Sequence, residues 1–337
     1  MKLAYEHFPK RNYIQGSTPL QYAPRLTALL GGPDIFIKRD DTLEGGNKTR
    51  KLEFVVGEAL SQGADTLLTC GSLQSNHCTA TLSFANREGL ECRLILKESL
   101  PGTYDPGAGG NNLLYHLLGA ASIRVVAAAT DMDEELEKVS AHLEKNGRKP
   151  YIIPAGASSA LGSLGYVCGA REILLQAESA GISIDHLIVP SGSGGTHAGL
   201  LAGLQESRVK VPVTGINVLC GRMEQEKKVR ILAEQTLELL ESSFTGLTSP
   251  VRCLDEYVGD GYTIPTRSMV EAVKIAARTE SLILDPVYSG KAMAGMIALI
   301  RKGFLKRGKN VIFLHTGGLP ALFEYKNCFL PGGQIRD

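Results

Sequence analysis

Two lysines stand where helix electrostatics disfavours them, in the run Gly45-Gly46-Asn47-Lys48-Thr49-Arg50-Lys51. Leu52, Val55, Val56, Ala59 and Leu60 follow at the i, i+3, i+4, i+7, i+8 spacing of an amphipathic helix. Lys48, Arg50 and Lys51 therefore fall in or just before its first turn, where the positive end of the dipole opposes cations. The glycines ahead of them permit a tight bend and a closely approaching ligand. Such a stretch suits a bound anion, or a lysine that releases its proton readily. Taken alone it also reads as a loop leading into a solvated basic helix end.

Three further groups of residues have chemistry to offer. Ser191-Gly192-Ser193-Gly194-Gly195-Thr196 leads from a strand-like run into a helical one. Its glycines allow successive amide N–H groups to point inward as an anion nest at a helix N-terminus, and Ser193 and Thr196 add hydroxyl donors. A dinucleotide fingerprint is the rival reading, but no acidic residue stands about 20 positions on, where the adjoining strand has Asn217. A simple tight turn is the third. Ser75-Asn76-His77 opens a helix, so Ser75 or Asn76 serves either as its N-cap or, for Asn76, as a donor to a phenolate or carboxylate oxygen. Tyr262 and Tyr288 lie in Gly- and Pro-containing loops, where a tyrosine packs or faces a substrate. His197 and His315 read as core or supporting histidines, since neither has a second ligand at metal spacing, and no metal is expected.

A lysine, a phosphate nest, an oxygen-binding Asn and loop tyrosines are together the parts needed to hold pyridoxal phosphate. Its aldehyde requires a lysine that is neutral part of the time, its phosphate the nest and its ring oxygen a donor. The cofactor then serves as an electron sink for a carbanion at a substrate α-carbon.

The elements that must position these residues alternate. Strand-like runs cover 35–38, 66–70, 92–96, 123–127, 151–153, 187–190, 213–218 and 311–314, with helical patterns near 49–62, 77–88, 132–146, 162–180 and 196–206. Alternation of this kind implies an α/β fold of parallel sheets covered by helices on both faces. Active sites of such sheets gather at the carboxyl ends of strands, which is where the loops Gly71–His77, Ser191–Thr196 and His315-Thr316-Gly317-Gly318 fall, and Asp285–Lys291 is a fourth candidate loop. Pro101 to Gly110 reads as a surface loop and 224–241 as a charged, structural helix.

At 337 residues, two α/β domains are expected. A net charge of +1 with dispersed Lys and Arg gives no footprint for nucleic acid or an anionic membrane. No apolar run has the length of a membrane span, and the first residues lack a signal region. Seven cysteines without CxxC spacing suggest buried thiols rather than a disulfide framework, and a cytoplasmic setting.

The chain resembles the fold-type II pyridoxal-phosphate enzymes of the 1-aminocyclopropane-1-carboxylate deaminase and D-cysteine desulfhydrase group. The matching stretches are IKRDD (37–41), GGNKTRKLEF (45–54), QSNH (74–77), SGSGGTHAGL (191–200), LDPVYSGKAMAG (284–295) and HTGG-PAL (315–322). The resemblance implies two open parallel-sheet, three-layer domains of the tryptophan synthase beta-like kind. Residues 1–51 plus 160–337 would form the larger, cofactor-binding one and 52–159 the smaller, with the active site in the cleft between them. It implies that Lys48 bonds the cofactor covalently, Lys51 and Ser191, Gly192, Ser193, Gly194, Gly195 and Thr196 hold the phosphate, and Asn76 contacts the ring oxygen. Ser75, Tyr262 and Tyr288 would surround a small amino-acid substrate, with Tyr288 a candidate for proton transfer, in a homodimer.

Within the group, the residue after the DPVY tyrosine faces the pyridine nitrogen. Ring-opening deaminases carry Glu there, which keeps the nitrogen protonated. Here it is Ser289, a neutral partner that holds the proton less well. That favours β-elimination, in which the leaving group carries the electrons away, and Thr316 points the same way because ring-opening members resemble HLGG. The leading expectation is α,β-elimination on D-cysteine to pyruvate, sulfide and ammonia. L-Cysteate sulfo-lyase, ring-opening deaminase and a non-catalytic cofactor-binding relative are the alternatives. Two departures fall near the substrate mouth: the loop between Asp41 and Gly45 is shorter than in relatives, and Cys78-Thr79-Ala80-Thr81 replaces a stretch that commonly carries Arg and Gln.

Overall fold

The computed structural model describes residues 5–331. The ends of the 1–51 and 160–337 ranges, residues 1–4 and 332–337, lie outside the described residues. Two sheets organise the chain. Six strands, β1 (Leu20–Tyr22), β2 (Asp34–Arg39), β7 (His186–Ser191), β8 (Val213–Asn217), β9 (Arg252–Leu254) and β10 (Asn310–His315), run in the order β1-β2-β10-β7-β8-β9. The other four, β3 (Thr66–Ser72), β4 (Glu91–Lys97), β5 (Ser122–Val126) and β6 (Pro150–Ile153), run β5-β4-β3-β6. Every pairing is parallel except β1 with β2, an antiparallel edge added to the expected parallel sheet.

Strand alternation makes each sheet the middle of three layers, because successive side chains point to opposite faces. Val311 and Phe313 of β10 join Ile35, Ile37 and Ile216 under α1 (Pro24–Leu30), α9 (Arg267–Glu280) and α10 (Ser289–Arg301). Ile312 and Leu314 join Leu187 and Val189 under α6 (Ala160–Ser179), α7 (Gly195–Glu206) and α8 (Arg222–Leu239). In the smaller sheet Leu67, Leu94 and Leu96 pack on α2 (Asn47–Ser61), α3 (Asn76–Glu88) and α4 (Gly110–Leu117), while Leu68, Cys70 and Ile95 face α5 (Met132–Lys145).

Helix α2 belongs to both units. Phe54 enters the core of the larger sheet, and Leu52, Val55, Val56 and Ala59 enter that of the smaller. It is held close to α6 because Gly165 has no side chain: a Cβ there would lie 2.2 Å from the Arg50 carbonyl oxygen. The segment expected as a loop at Asp285–Lys291 is helical from Ser289 onward. α10 is predominantly apolar and covered along nearly all of its length up to the exposed Arg301, so its first turn has no polar face to mark where it starts.

Candidate active site

The first turn of α2 is built by a contact between two loops. Gly46 takes φ 58° and ψ −141°, and a Cβ there would lie 2.3 Å from the Thr316 carbonyl oxygen. Asn47 N–H donates to that carbonyl at 3.0 Å. The loop after β10 and the start of α2 are therefore joined backbone to backbone, which puts Thr316 beside Lys48.

The three cations of this turn have separate environments. Lys48 Nζ donates to Asn47 Oδ1 at 2.9 Å and lies 5.6 Å from the centre of the Tyr288 ring. Burial lowers its pKa to about 8, with the Asp285 carboxylate pulling the other way. Lys51 is fully buried and donates to Gly156 O at 2.9 Å and Ser158 Oγ at 3.0 Å. Burial and the neighbouring Lys48 hold its amine well below the usual lysine value. Arg50 turns away from both. It forms a two-pronged bond with Asp40, both contacts at 2.8 Å, and reaches Glu172 at 2.9 Å. Lys38 joins the same carboxylate, and Tyr166 donates to Asp40 Oδ2 at 2.6 Å. For Arg50 the anion is the protein's own: the buried Asp40 carboxylate and the partly exposed Glu172.

Facing the lysines is the loop after β7. Gly194 takes φ 94° and leads directly into α7. Thr196 Oγ1 accepts from Asn47 Nδ2 at 3.0 Å. Ser158 Oγ accepts from Gly195 N–H at 3.2 Å and donates to Ser193 Oγ at 2.7 Å. Gly192 leaves room for a tyrosine, since a Cβ there would stand 2.9 Å from Tyr288 Cε1. Ser191 is turned into a buried network: Gln225 Nε2 donates to its hydroxyl at 2.8 Å, and His197 Nδ1 lies 3.3 Å away. Any contact of Ser191 with a ligand therefore falls to its backbone. His197 is buried, and burial lowers it to about 3. His315 Nδ1 accepts from Gly317 N–H and Nε2 meets Ile283 O, so its ring is satisfied as a neutral group.

The smaller sheet contributes the loop after β3. Ser75 caps α3, its hydroxyl accepting from Cys78 N–H at 3.2 Å, which is the local role weighed for it above. Asn76 Nδ2 donates to Gly45 O at 3.2 Å and so ties α3 to the glycines before α2.

On the remaining side, Tyr262 and Tyr288 meet with their hydroxyls 2.6 Å apart and their rings edge to face. Burial raises both phenols, Tyr288 well above the usual value. Tyr288 is placed by Asp285, a buried carboxylate that accepts from the N–H groups of Val287, Tyr288 and Ser289 at 2.7–2.9 Å. Ser289 Oγ donates to Asp285 Oδ1 at 2.6 Å and accepts from Asp285 N–H at 2.9 Å.

The structure thus gathers Lys48, Lys51, Gly192, Ser193, Gly194, Thr196, Tyr288 and Thr316 around one cavity. Asn47 lines it too, while Ser158 and Asp285 reach it through Lys51 and through the Tyr288 N–H; neither Asn47 nor Ser158 is among the site residues expected from the sequence. Asn47 lies inside the GGNK run and was masked by its lysines, whereas Ser158 had no local signal. A larger groove of about 590 Å³ runs between α8 and residues 242–246, but its polar walls are mostly carboxylates and amides and it holds no lysine.

Residues 12–317 match the model of a family described as pyridoxal-phosphate dependent enzymes. The chain is 42% identical to the D-cysteine desulfhydrase of Salmonella typhimurium over 322 residues, 94% of this chain and 96% of the relative, and equally so to that of Salmonella typhi. A crystal structure of an ACC deaminase homologue superposes with a TM-score of 0.87 at 35% identity, covering 96% of each chain. A fungal L-serine ammonia-lyase from Rhizomucor miehei shares the fold at a TM-score of 0.63 and 20% identity, covering 94% of this chain and 99% of that one. The groups around the cavity suit the cofactor of the matched family. The cavity walls carry two lysines and no carboxylate; the Gly195 N–H and the Lys51 amine both donate to Ser158 Oγ, and the Ser193 and Thr196 hydroxyls stand beside them at the start of α7, groups of the kind that hold a phosphate.

Proposed function

We propose that this chain, which belongs to the pyridoxal-phosphate dependent enzymes and uses that cofactor, is a carbon–sulfur lyase converting D-cysteine and water to pyruvate, hydrogen sulfide and ammonia. One observation carries the reading: a lysine amine with a pKa of about 8 lies against Tyr288, whose hydroxyl is paired with Tyr262, at the mouth of an anion cradle. The 42% identity to a D-cysteine desulfhydrase supports the substrate.

Lys48 would hold the cofactor covalently. Lys51, Ser193, Thr196 and the backbone of 191–195 would hold its phosphate, Asn76 its ring oxygen, and Ser289 its ring nitrogen, with Thr316 beside the ring. Once bound, pyridoxal phosphate supplies an electron sink for the substrate α-carbon. Lys48, neutral part of the time at a pH of about 8, is suited to accept the α-proton. Tyr288 stays protonated because burial opposes its phenolate, so it is suited to give a proton to the departing sulfur, with Tyr262 bonded behind it. Ser75 would orient the substrate from the smaller sheet. Ser289 offers a neutral oxygen that already donates to Asp285, which favours elimination of a good leaving group over ring opening.

The division into 1–51 plus 160–337 and 52–159, with the site between, is part of this reading, as are a homodimer and a cytoplasmic setting. Among the described residues no helix is long and apolar enough to cross a membrane.

Incubating the purified holoenzyme with D-cysteine and with L-cysteate, and assaying sulfide, sulfite and pyruvate, tests the assignment. Sulfide with pyruvate from D-cysteine is expected. Sulfite from L-cysteate without sulfide from D-cysteine would replace it with a sulfo-lyase.

A further inference from the structure

Lys291 is fully buried in the first turn of α10, and no carboxylate among the described residues accepts from it. Its ammonium donates to two backbone carbonyls, Val258 O at 2.7 Å and Gly261 O at 2.9 Å. Both belong to the irregular segment between β9 and α9. Its own backbone–backbone bonds are few: Val258 N–H to Asp255 O at 3.2 Å and Ile264 N–H to Gly261 O at 3.3 Å. It also contains three positive-φ residues, Gly259 (69°), Gly261 (152°) and Thr263 (67°). Such a backbone needs an external hold to keep one conformation. Tyr262 follows directly on one of the two bonded carbonyls, and Tyr325 donates to the next carbonyl but one, Thr263 O, at 2.7 Å.

Burying a cation costs free energy that an apolar side chain of the same volume avoids. Ala292, Met293 and Ala294, which follow Lys291, are covered and apolar, and the Asp285 and Asp260 carboxylates favour its charge without accepting a bond from it. The two carbonyls do require a donor. The geometry closes a circuit: Tyr288 and Lys291 leave the same helical turn, Lys291 fixes Gly261, and Tyr262 returns to Tyr288 through hydroxyls 2.6 Å apart.

We propose that Lys291 is a positioning residue whose ammonium holds the 258–261 backbone so that the Tyr262 hydroxyl meets Tyr288. The assignment of catalysis to that tyrosine pair is the reading given above, and the inference rests on it for its effect on turnover. It does not rest on it for its effect on the backbone.

The test uses the holoenzyme with Lys291→Met, which keeps the volume without the donor, and Lys291→Gln, which keeps a donor should the methionine variant fold poorly. Hydrogen exchange across 256–264 is expected to rise in Lys291→Met by about tenfold or more, and less in Lys291→Gln, as the hold on the segment is lost. Cofactor absorbance and affinity should stay as in the parent. With D-cysteine, kcat should fall at least several-fold with a smaller change in KM. In a Tyr262→Phe background the same substitution should cost little more, because both changes remove one interaction. Unchanged exchange in both Lys291 variants, or losses that multiply fully with Tyr262→Phe, would overturn the proposal. Tyr262→Phe with full turnover would overturn the reading of Tyr262, while faster exchange in Lys291→Met would still support the positioning.

Discussion

The hydroxyls of Tyr262 and Tyr288 lie 2.6 Å apart, one on an irregular segment and the other at the threshold of a buried helix. Burial raises both phenols, and the hydrogen bond with Tyr262 adds to what holds Tyr288 protonated. Removing the Tyr288 hydroxyl should lower kcat by about 10²–10⁴-fold if it transfers a proton. Tyr262→Phe should cost less, because its hydroxyl acts through its neighbour. Steady-state pyruvate formation checks the order, with cofactor absorbance retained in both variants.

Lys48 gives a pH dependence of definite sign. Burial brings its amine down to about 8, so the neutral, nucleophilic form grows as pH rises through that value. The rate at which apo-protein takes up pyridoxal phosphate covalently should therefore climb from about pH 7 to about pH 9 and then level. Lys48→Arg, whose guanidinium stays charged, should bind the phosphate without forming the covalent link. Borohydride reduction followed by peptide mapping distinguishes the two.

The Arg50–Asp40 pair sits behind the two lysines and fixes the helix that carries them. Asp40→Asn leaves Arg50 with Glu172 alone and should destabilise the protein by about 3–5 kcal/mol, the usual consequence of breaking a buried pair. Burial opposes the Asp40 charge, yet the Arg50 guanidinium and the hydrogen bonds from Tyr166 and Thr18 hold it below the ordinary carboxylate range. Its stabilisation is therefore complete above the unfolded-state value of about 4 and is lost as pH falls through the lower folded value. Denaturant titrations across that window should show a shallower acid loss in Asp40→Asn than in the parent.

Gly195 marks the proposed phosphate cradle by what it lacks. A Cβ there would stand 2.7 Å from Ser158 Oγ and 2.9 Å from Lys51 Nζ. Its backbone is ordinary helix, so Gly195→Ala should fold. It should nonetheless displace Ser158 and Lys51 and weaken cofactor affinity by roughly tenfold or more, about 1.4 kcal/mol. Fluorescence titration of the apo-protein with pyridoxal phosphate measures it.

Much of the fold was legible because its strands and helices carry their own periods. All eight strands read from the sequence are present. The two that escaped, β1 and β9, are three-residue edges too short to show alternation. Helix α9 had a readable signal in the Thr266 cap and the spacing of Met269, Val270, Val273 and Ala276, which the alternation of elements did not use. Helix α10 is predominantly apolar and buried up to Arg301, so no polar face marks its start.

By itself the sequence determined which chemical groups exist and the class of sheet that carries them. Glycines, hydroxyls and lysines at fixed local spacing are properties of a few adjacent residues, and so is the alternation of strand and helix. What each group does was decided by the tertiary structure, because pKa and hydrogen-bond partners depend on neighbours remote in the chain. Arg50 was separated from Lys48 and Lys51 only when Asp40 and Glu172 were brought to it. The Lys48 amine is poised by burial against the pull of Asp285, from the far end of the sequence. Ser158 and Lys291 look like ordinary loop and helix residues until the fold sets one against the Gly195 amide and the other beneath Tyr262.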